Sequence, residues 1–482
     1  MKAQLTILSA LAALLLPLSL QAQITFERTY GGPADDGAQA VLQTADGGYF
    51  IVGYVKSYGS GGADVFVIAT DQNGEESWTQ VFGGAQDDYG YGVAMTANGD
   101  CLAAGYLVTQ GHADVALHGN TADGGQLWIQ VYGGSNDDMS YSIARNSDGG
   151  FIVAGATYSF GSGAPNVYVL RTDSLGDTLW TRTYGGASED YAFSARQTTD
   201  SGFIICGTTY SYGAGQSDIY LIKTDAAGDT QWTRTYGGVA AEHGHSVRQT
   251  ADSGYIICGT TLSFGAGAAD IWLIRTDANG DTLWTRTFGG DTADLGHSVF
   301  ATSDGGFVLC GQTASFGAGS YDAWLIKTDS IGDTLWTRTF GGTNDDRGYS
   351  VQQTADGGYV MAGYTNSFGA GEGDFYLIKT DADGNVAVAE PKASPTRGSN
   401  LTVACQPNPA TGATTVSLSP FASRLSPLAL RVYDAQGCLV HSALGIRTSS
   451  FPLDLRALPS GAYFIRCDIA GRHATARLVL QR

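Results

Sequence analysis

A Gly-Gly doublet recurs at Gly31, Gly83, Gly133, Gly185, Gly237, Gly289 and Gly341, in steps of 52 residues with a single step of 50. A fixed period constrains a chain more than any local propensity, because every copy must build the same unit and bury the same face against its neighbours. The copy from His245 to Gly290 reads as four short strands, near His245–Thr250, Tyr255–Thr261, Asp270–Asp277 and Thr282–Phe288. Ala251-Asp252-Ser253-Gly254 makes a tight turn between the first two, and Ala278-Asn279-Gly280-Asp281 closes a hairpin between the last two. Ile271 and Leu273 alternate with Trp272 and Ile274, so the third strand is apolar on both faces and must be covered on both, as when sheets stack. No segment carries a sustained helical period.

Seven copies of a four-stranded unit predict an all-β fold, a seven-bladed β-propeller. The ends of the array predict a closed ring. The fourth strand carries a tryptophan six times, from Trp78 to Trp336, and the missing seventh is supplied at the other end, where Phe26 in TFERTYGG precedes its own Gly-Gly. The last copy stops after its third strand, at Asp374–Asp381, with Val388 where tryptophan is due. An N-terminal strand therefore completes the last blade, whereas an open solenoid would need capping repeats. The phrases GYIICG, DIWLIRTD and GDTLW, in this order, resemble kelch and quinoprotein-type propeller repeats over residues 24–385. That resemblance implies the fold and little of the function.

Composition narrows the classes. The 68 glycines follow no Gly-X-Y period, and with 11% aromatics and only 11 prolines the chain is neither collagenous nor a flexible low-complexity segment. A net charge of −20 argues against nucleic acid as a partner. Residues 1–22 read as a secretory signal peptide, with Lys2, an apolar stretch Leu5–Leu20 broken by Pro17, and Ala22 at the cleavage point. No later segment is long and apolar enough for a transmembrane helix. Cys206, Cys258 and Cys310 recur with the repeat and are expected as buried packing thiols, too far apart to pair. Cys405, Cys438 and Cys467 leave room for one disulfide in the tail.

Residues 389–400 turn to Pro, Ser, Lys and Arg, a linker between a propeller over 23–388 and a tail over 401–482. The tail carries PNP at Pro407–Pro409, LRVYDAQGCLV at Leu430–Val440, LDLRALPSGAYFIRC at Leu453–Cys467 and a final apolar strand Ala476–Leu480, a pattern for a small immunoglobulin-like β-sandwich. This series resembles the type A C-terminal sorting domain of the type IX secretion system in Bacteroidota. The resemblance implies partners in the secretion machinery and a sortase-like peptidase that removes the tail, and a secreted or outer-surface location.

Two sets of residues in the repeats bear on chemistry. The loop into each first strand, GGxxDDxG, keeps an acid at Asp36, Asp88, Asp138, Asp190, Glu242, Asp294 and Asp346. Seven carboxylates at the channel rim would attract a cation or a basic partner, but their presence in every copy favours backbone bonding within each glycine-rich loop. At the start of the first strand stand Gln39, Tyr91, Tyr141, Phe193, His245, His297 and Tyr349, an aromatic collar for the channel mouth suited to a sugar or peptide. His243, His245 and His297, with Glu242 and Asp294, are ligand types for zinc, against the simpler reading of packing around the channel. The TDANGD-type turn is not a calcium loop, since Leu175, Ala227 and Ile331 replace its third position with side chains lacking oxygen. Arg182, Arg234, Arg286 and Arg338 fall on outer strands and cannot converge, which disfavours a sialidase, and no cofactor set stands outside the repeat. The expectation is a secreted binding module for a glycan or protein, without cofactor and without enzymatic activity. A glycan hydrolase or lyase acting at the channel, and a structural surface-layer component, are the alternatives.

Overall fold

The computed structural model describes residues 23–386 and, in the tail, 402–406, 408, 410, 411, 413–419, 428–433, 439–446, 450–469 and 472–481. The proposed signal peptide, the linker 389–400 and Cys438 lie outside the described residues. The chain divides into two compact units, Met1–Val388 and Ala389–Arg482.

The first unit consists of seven four-stranded antiparallel sheets, and no helix of the described residues is long and apolar enough to cross a membrane. In the fifth sheet the strands are Glu242–Gln249, Tyr255–Thr261, Asp270–Thr276 and Thr282–Phe288, within three residues of the bounds read from the repeat. The second and third strands are buried at every position, whereas the outer strand alternates between exposed and half-buried. The continuous apolar runs of the middle strands thus lie between neighbouring sheets. Ile256, Cys258, Ile271 and Leu273 of the fifth sheet pack with Val299, Phe307, Leu309 and Ile326 of the sixth, and burying each such aliphatic side chain contributes about 1.5–3 kcal/mol. Cys101, Cys206, Cys258 and Cys310 are buried free thiols in these interfaces, and burial pushes all four well above the usual thiol range.

The ring closes as the unequal ends of the array require. Phe26–Tyr30 is the outer strand of the last sheet, antiparallel to Asp374–Thr380, with Phe26 opposite Lys379 and Tyr30 opposite Phe375. Phe26 also occupies the tryptophan site in space. Each hairpin glycine has positive φ and sits on the aromatic ring of the preceding blade: a Cβ at Gly280 (φ 80°) would lie 2.9 Å from the Trp232 ring, and one at Gly74 (φ 74°) 2.7 Å from the Phe26 ring. The tyrosine hydroxyls of Tyr236 and Tyr30 donate to the carbonyls of the same two glycines, at 2.6 and 2.7 Å. Deep in the ring, serines one residue beyond the collar accept a backbone N–H from the next blade, and the bond from Val41 to Ser350, at 3.3 Å, joins the first blade to the seventh.

The second unit is a small β-sandwich. A three-stranded sheet of Thr402–Gln406, Ala413–Ser419 and Ser450–Asp454 packs Val416 and Leu453 against Leu430, Val432, Ile465 and Leu478 of a four-stranded sheet. Cys405 is a buried free thiol and Cys467 is buried in the same core, so these two do not form with each other the disulfide that the tail cysteines left open.

Candidate functional site

The inner strand of every blade contains a β-bulge at one position. Pairing with the second strand skips Gln39, Tyr91, Tyr141, Phe193, His245, His297 and Tyr349, and resumes at the residue after each. A bulge leaves its extra residue unpaired and re-aims the side chain. These seven residues all line a single central cavity of about 470 Å³. Ring centroids run 5.2 Å from Tyr91 to Tyr141, 5.2 Å to Phe193, 5.2 Å to His245, 5.3 Å to His297 and 5.0 Å to Tyr349, and Gln39 lines the cavity in the remaining blade. The collar is therefore continuous over six blades, edge-to-face or tilted at each step, an arrangement worth about 0.5–1.5 kcal/mol per pair beyond the area buried.

The imidazoles are part of this packing. Burial lowers His297 to about 4, against a weaker upward pull from its hydrogen bond with Gln312, and burial with the charges of His297 and His243 holds His245 well below the usual range. Both rings are neutral at pH 7.

The seven acids do something else, and the rim reading of them is corrected. Every one is buried, and none lines the cavity. Each accepts the amide N–H of the second glycine of its own doublet, at 2.6–2.8 Å. Asp36, Asp138, Asp190, Asp294 and Asp346 also accept a serine hydroxyl from the loop after the second strand of the same blade, at 2.6–2.7 Å. Their physical role is to satisfy loop donors that would otherwise be buried without partners. The zinc grouping dissolves for the same reason: Glu242 is taken by Gly238 N–H, Thr261 Oγ1 and Ser263 N–H, and Asp294 by Gly290 N–H and Ser315 Oγ. Among the described residues no three His, Cys, Asp or Glu side chains are grouped to hold a metal.

A second cluster was not legible in the repeat. Asp35, Tyr54, Asp345, Arg347, Tyr364 and Asn366 join collar residues Gln39 and Tyr349 around a polar cavity of about 290 Å³. Asp35 is its hub. Lys56 Nζ donates to Asp35 at 2.9 Å, Tyr364 Oη at 3.0 Å and Tyr54 Oη at 3.2 Å, while Arg347 pairs with Asp345 at 3.3 Å. Burial works against ionisation of Asp35, but the hydrogen bonds from Lys56 and Tyr364 outweigh it and hold the carboxyl below its ordinary range. These groups come from the seventh and first blades. The first acid of the GGxxDD loop belongs to the repeat, as Asp35, Asp87, Asp137, Glu189 and Asp345, and is replaced by Ala241 and Ala293 in the fifth and sixth blades, whereas Lys56 and Arg347 have no lysine or arginine counterpart in any other blade. The signal available in sequence was these two unmatched cations, not any motif.

The comparisons with known proteins divide along the two units. Residues 405–481 match the family described as secretion system C-terminal sorting domain, so the chain carries a type IX sorting signal. The Caulobacter vibrioides regulatory protein FlaEY is 27% identical over 157 residues, which span 27% of this chain and 16% of that protein's length. A fungal alcohol oxidase in complex with copper aligns over 95% of this chain and 100% of its own, at 12% identity and a TM-score of 0.48. The polysaccharide lyase Uly1 aligns over 72% of this chain and 90% of its own, at 10% identity and a TM-score of 0.44. Enzymes thus stand among the structures this chain resembles. The expectation of a protein without enzymatic activity is corrected by that finding.

Proposed function

We propose that this chain is a type IX cargo, made with a signal peptide over 1–22 and delivered to the outer surface or the medium, whose propeller binds a glycan at the channel mouth. The proposed boundaries are 23–388 for the propeller, 389–400 for a linker and 401–482 for the sorting tail, which a sortase-like peptidase removes. The observation that carries the binding reading is the bulged collar, six aromatic and imidazole rings around a cavity of about 470 Å³. Sugar rings offer apolar faces for such side chains and hydroxyls for a few convergent polar groups, which the cluster around Asp35 supplies on one side of the collar.

The test is a glycan array probed with the full-length protein, followed by titration of the best ligand with Tyr141→Ala and Tyr349→Ala. Each truncation is expected to weaken binding about tenfold, the scale of one lost aromatic stack. Equal affinity in both variants would remove the collar from the site. Deleting residues 398–482 is expected to retain the propeller inside the cell; its continued arrival at the surface would sink the export reading. A second reading, turnover of the bound glycan, is favoured by the convergence of Asp35, Lys56, Tyr54 and Tyr364 where the ring closes. Polysaccharide degradation by the full chain that disappears in Tyr364→Phe would establish it.

A further inference from the structure

Three residues beyond the collar, about 10 Å deeper at strand spacing, the cavity changes character. Five blades place Leu42, Ala94, Ala144, Phe300 and Gln352 there, but the fourth and fifth place Arg196 and Arg248. Both arginines line the cavity, with Arg145 one position further along, and no aspartate or glutamate lines it at all. That is a marked exception in this molecule. The tail from Pro391 carries ten basic and three acidic residues, which leaves residues 23–390 with a net charge of −28.

The two arginines, half-buried in the cavity wall, also lack the carboxylate that the fully buried cations of the propeller have. Lys223, Arg275, Lys327 and Lys379 are buried and each holds an aspartate at 2.5–2.9 Å. Arg196 has instead the carbonyl of Ala195 at 2.8 Å and Ser142 Oγ at 3.4 Å, and Arg248 the carbonyl of Val247 at 2.9 Å. Burial lowers Arg196 to about 10, and burial together with the charge of Arg196 holds Arg248 well below its ordinary value. Two like charges held in a cavity without a carboxylate are costly unless an anion joins them.

We propose that the channel is an anion-binding site in which Arg196 and Arg248 take a carboxylate or sulfate group of an acidic glycan. The arginine fork matches either oxyanion in a bidentate manner. The choice of a glycan as the bearer of that group rests on the collar reading above; the anion site itself rests on the arginines alone.

The two are tested separately with the full chain. Inorganic sulfate is expected to raise the unfolding midpoint above that in chloride of equal ionic strength, and Arg196→Gln/Arg248→Gln to abolish the difference. Equal midpoints in the two salts for the unaltered protein overturn the proposal without any variant, as does a sulfate response that survives the double substitution. Should the double variant fail to fold, Arg196→Lys and Arg248→Lys replace it, and each is expected to reduce the sulfate response because a point charge forfeits bidentate geometry. A response unchanged in both would overturn the assignment. In titration calorimetry, a hyaluronan tetrasaccharide reports the carboxylate and a heparin-derived tetrasaccharide the sulfate, and one or both should bind at least about tenfold more tightly than neutral cellotetraose. Cellotetraose binding as tightly as both would leave the collar reading standing and defeat the anion preference. A sulfate response with no oligosaccharide bound would uphold the arginine site and defeat the collar.

Discussion

The fifth and sixth blades and the junction of the seventh with the first have the same four strands and the same bulge, yet differ in what their acids do. In the regular blades Glu242 and Asp294 are buried beneath their own glycine loops, and the neighbouring positions are alanines. At the junction Asp36 plays that loop role, while the adjacent Asp35 gathers Lys56, Tyr54 and Tyr364 from across two blades. A residue repeated in every blade serves the blade. An acid that two blades replace by alanine is free to serve the ring as a whole.

The sharpest way to break this comparison is to remove one acid of each kind. Asp190→Ala leaves the half-buried Gly186 N–H without its acceptor and takes from the Ser211 hydroxyl one of its two acceptors, and is expected to cost about 2–3 kcal/mol in denaturant unfolding, with the affinity of the folded protein for its glycan unchanged. Asp35→Ala removes a half-exposed network and should cost at most about 1 kcal/mol while weakening glycan binding. Similar stability losses in the two variants would erase the distinction.

The collar offers a pH test of the regular side. His297 titrates near 4 in the folded protein, below its ordinary 6.5. The unfolded chain therefore takes up a proton first, and stability is lost as pH falls from about 6.5 towards 4. His297→Phe, which copies Phe193 of the fourth blade, should relieve about 2 kcal/mol of that loss at pH 5 and nothing at pH 8, read from unfolding midpoints at the two values.

A carboxyl inside the regular blades has the opposite sign. Burial and the adjacent Asp294 raise Asp270 to about 6. Its protonated form is the better fit, so the stability it contributes is complete below its ordinary value near 4 and is lost as pH rises through about 6. The third blade carries Asn166 at this position. Asp270→Asn is expected to raise the thermal midpoint at pH 7.5 by about 1–2 °C, and to have no effect at pH 4. The smallest effect concerns a turn. Ser253 has φ of 68°, where the first, sixth and seventh blades place Gly47, Gly305 and Gly357 in the same left-handed region, so Ser253→Gly should stabilise by about 1 kcal/mol or less.

The fold was legible because the repeat states each strand seven times and the ends of the array are unequal in complementary ways. Phe26 could be matched to a tryptophan 52 residues on, and Gly74 meets its ring. The collar was legible as a list of residues, but not the bulge that turns them into the channel, because skipping one residue leaves no trace in an apolar pattern. The junction cluster was hidden by distance: Asp35 and Tyr364 are 329 residues apart and meet only when the ring closes. Arg196 and Arg248 carry no such signal, because a lone basic residue on a strand reads as a solvated surface position.

That closure has a temporal consequence. The strand Phe26–Tyr30 is synthesised first and finds its partner in Asp374–Thr380, synthesised last of the propeller strands, with Glu27 bonded to Tyr376 across 349 residues. Until the seventh blade exists, the growing chain is an arc with two unprotected edges and no Asp35 cluster. The chain entropy lost in joining such distant segments slows closure, whereas reopening is resisted by the strand pairing and packing that closure makes. Once shut, the ring works as a clasp, and the rate at which it opens bears on how long the exported fold persists.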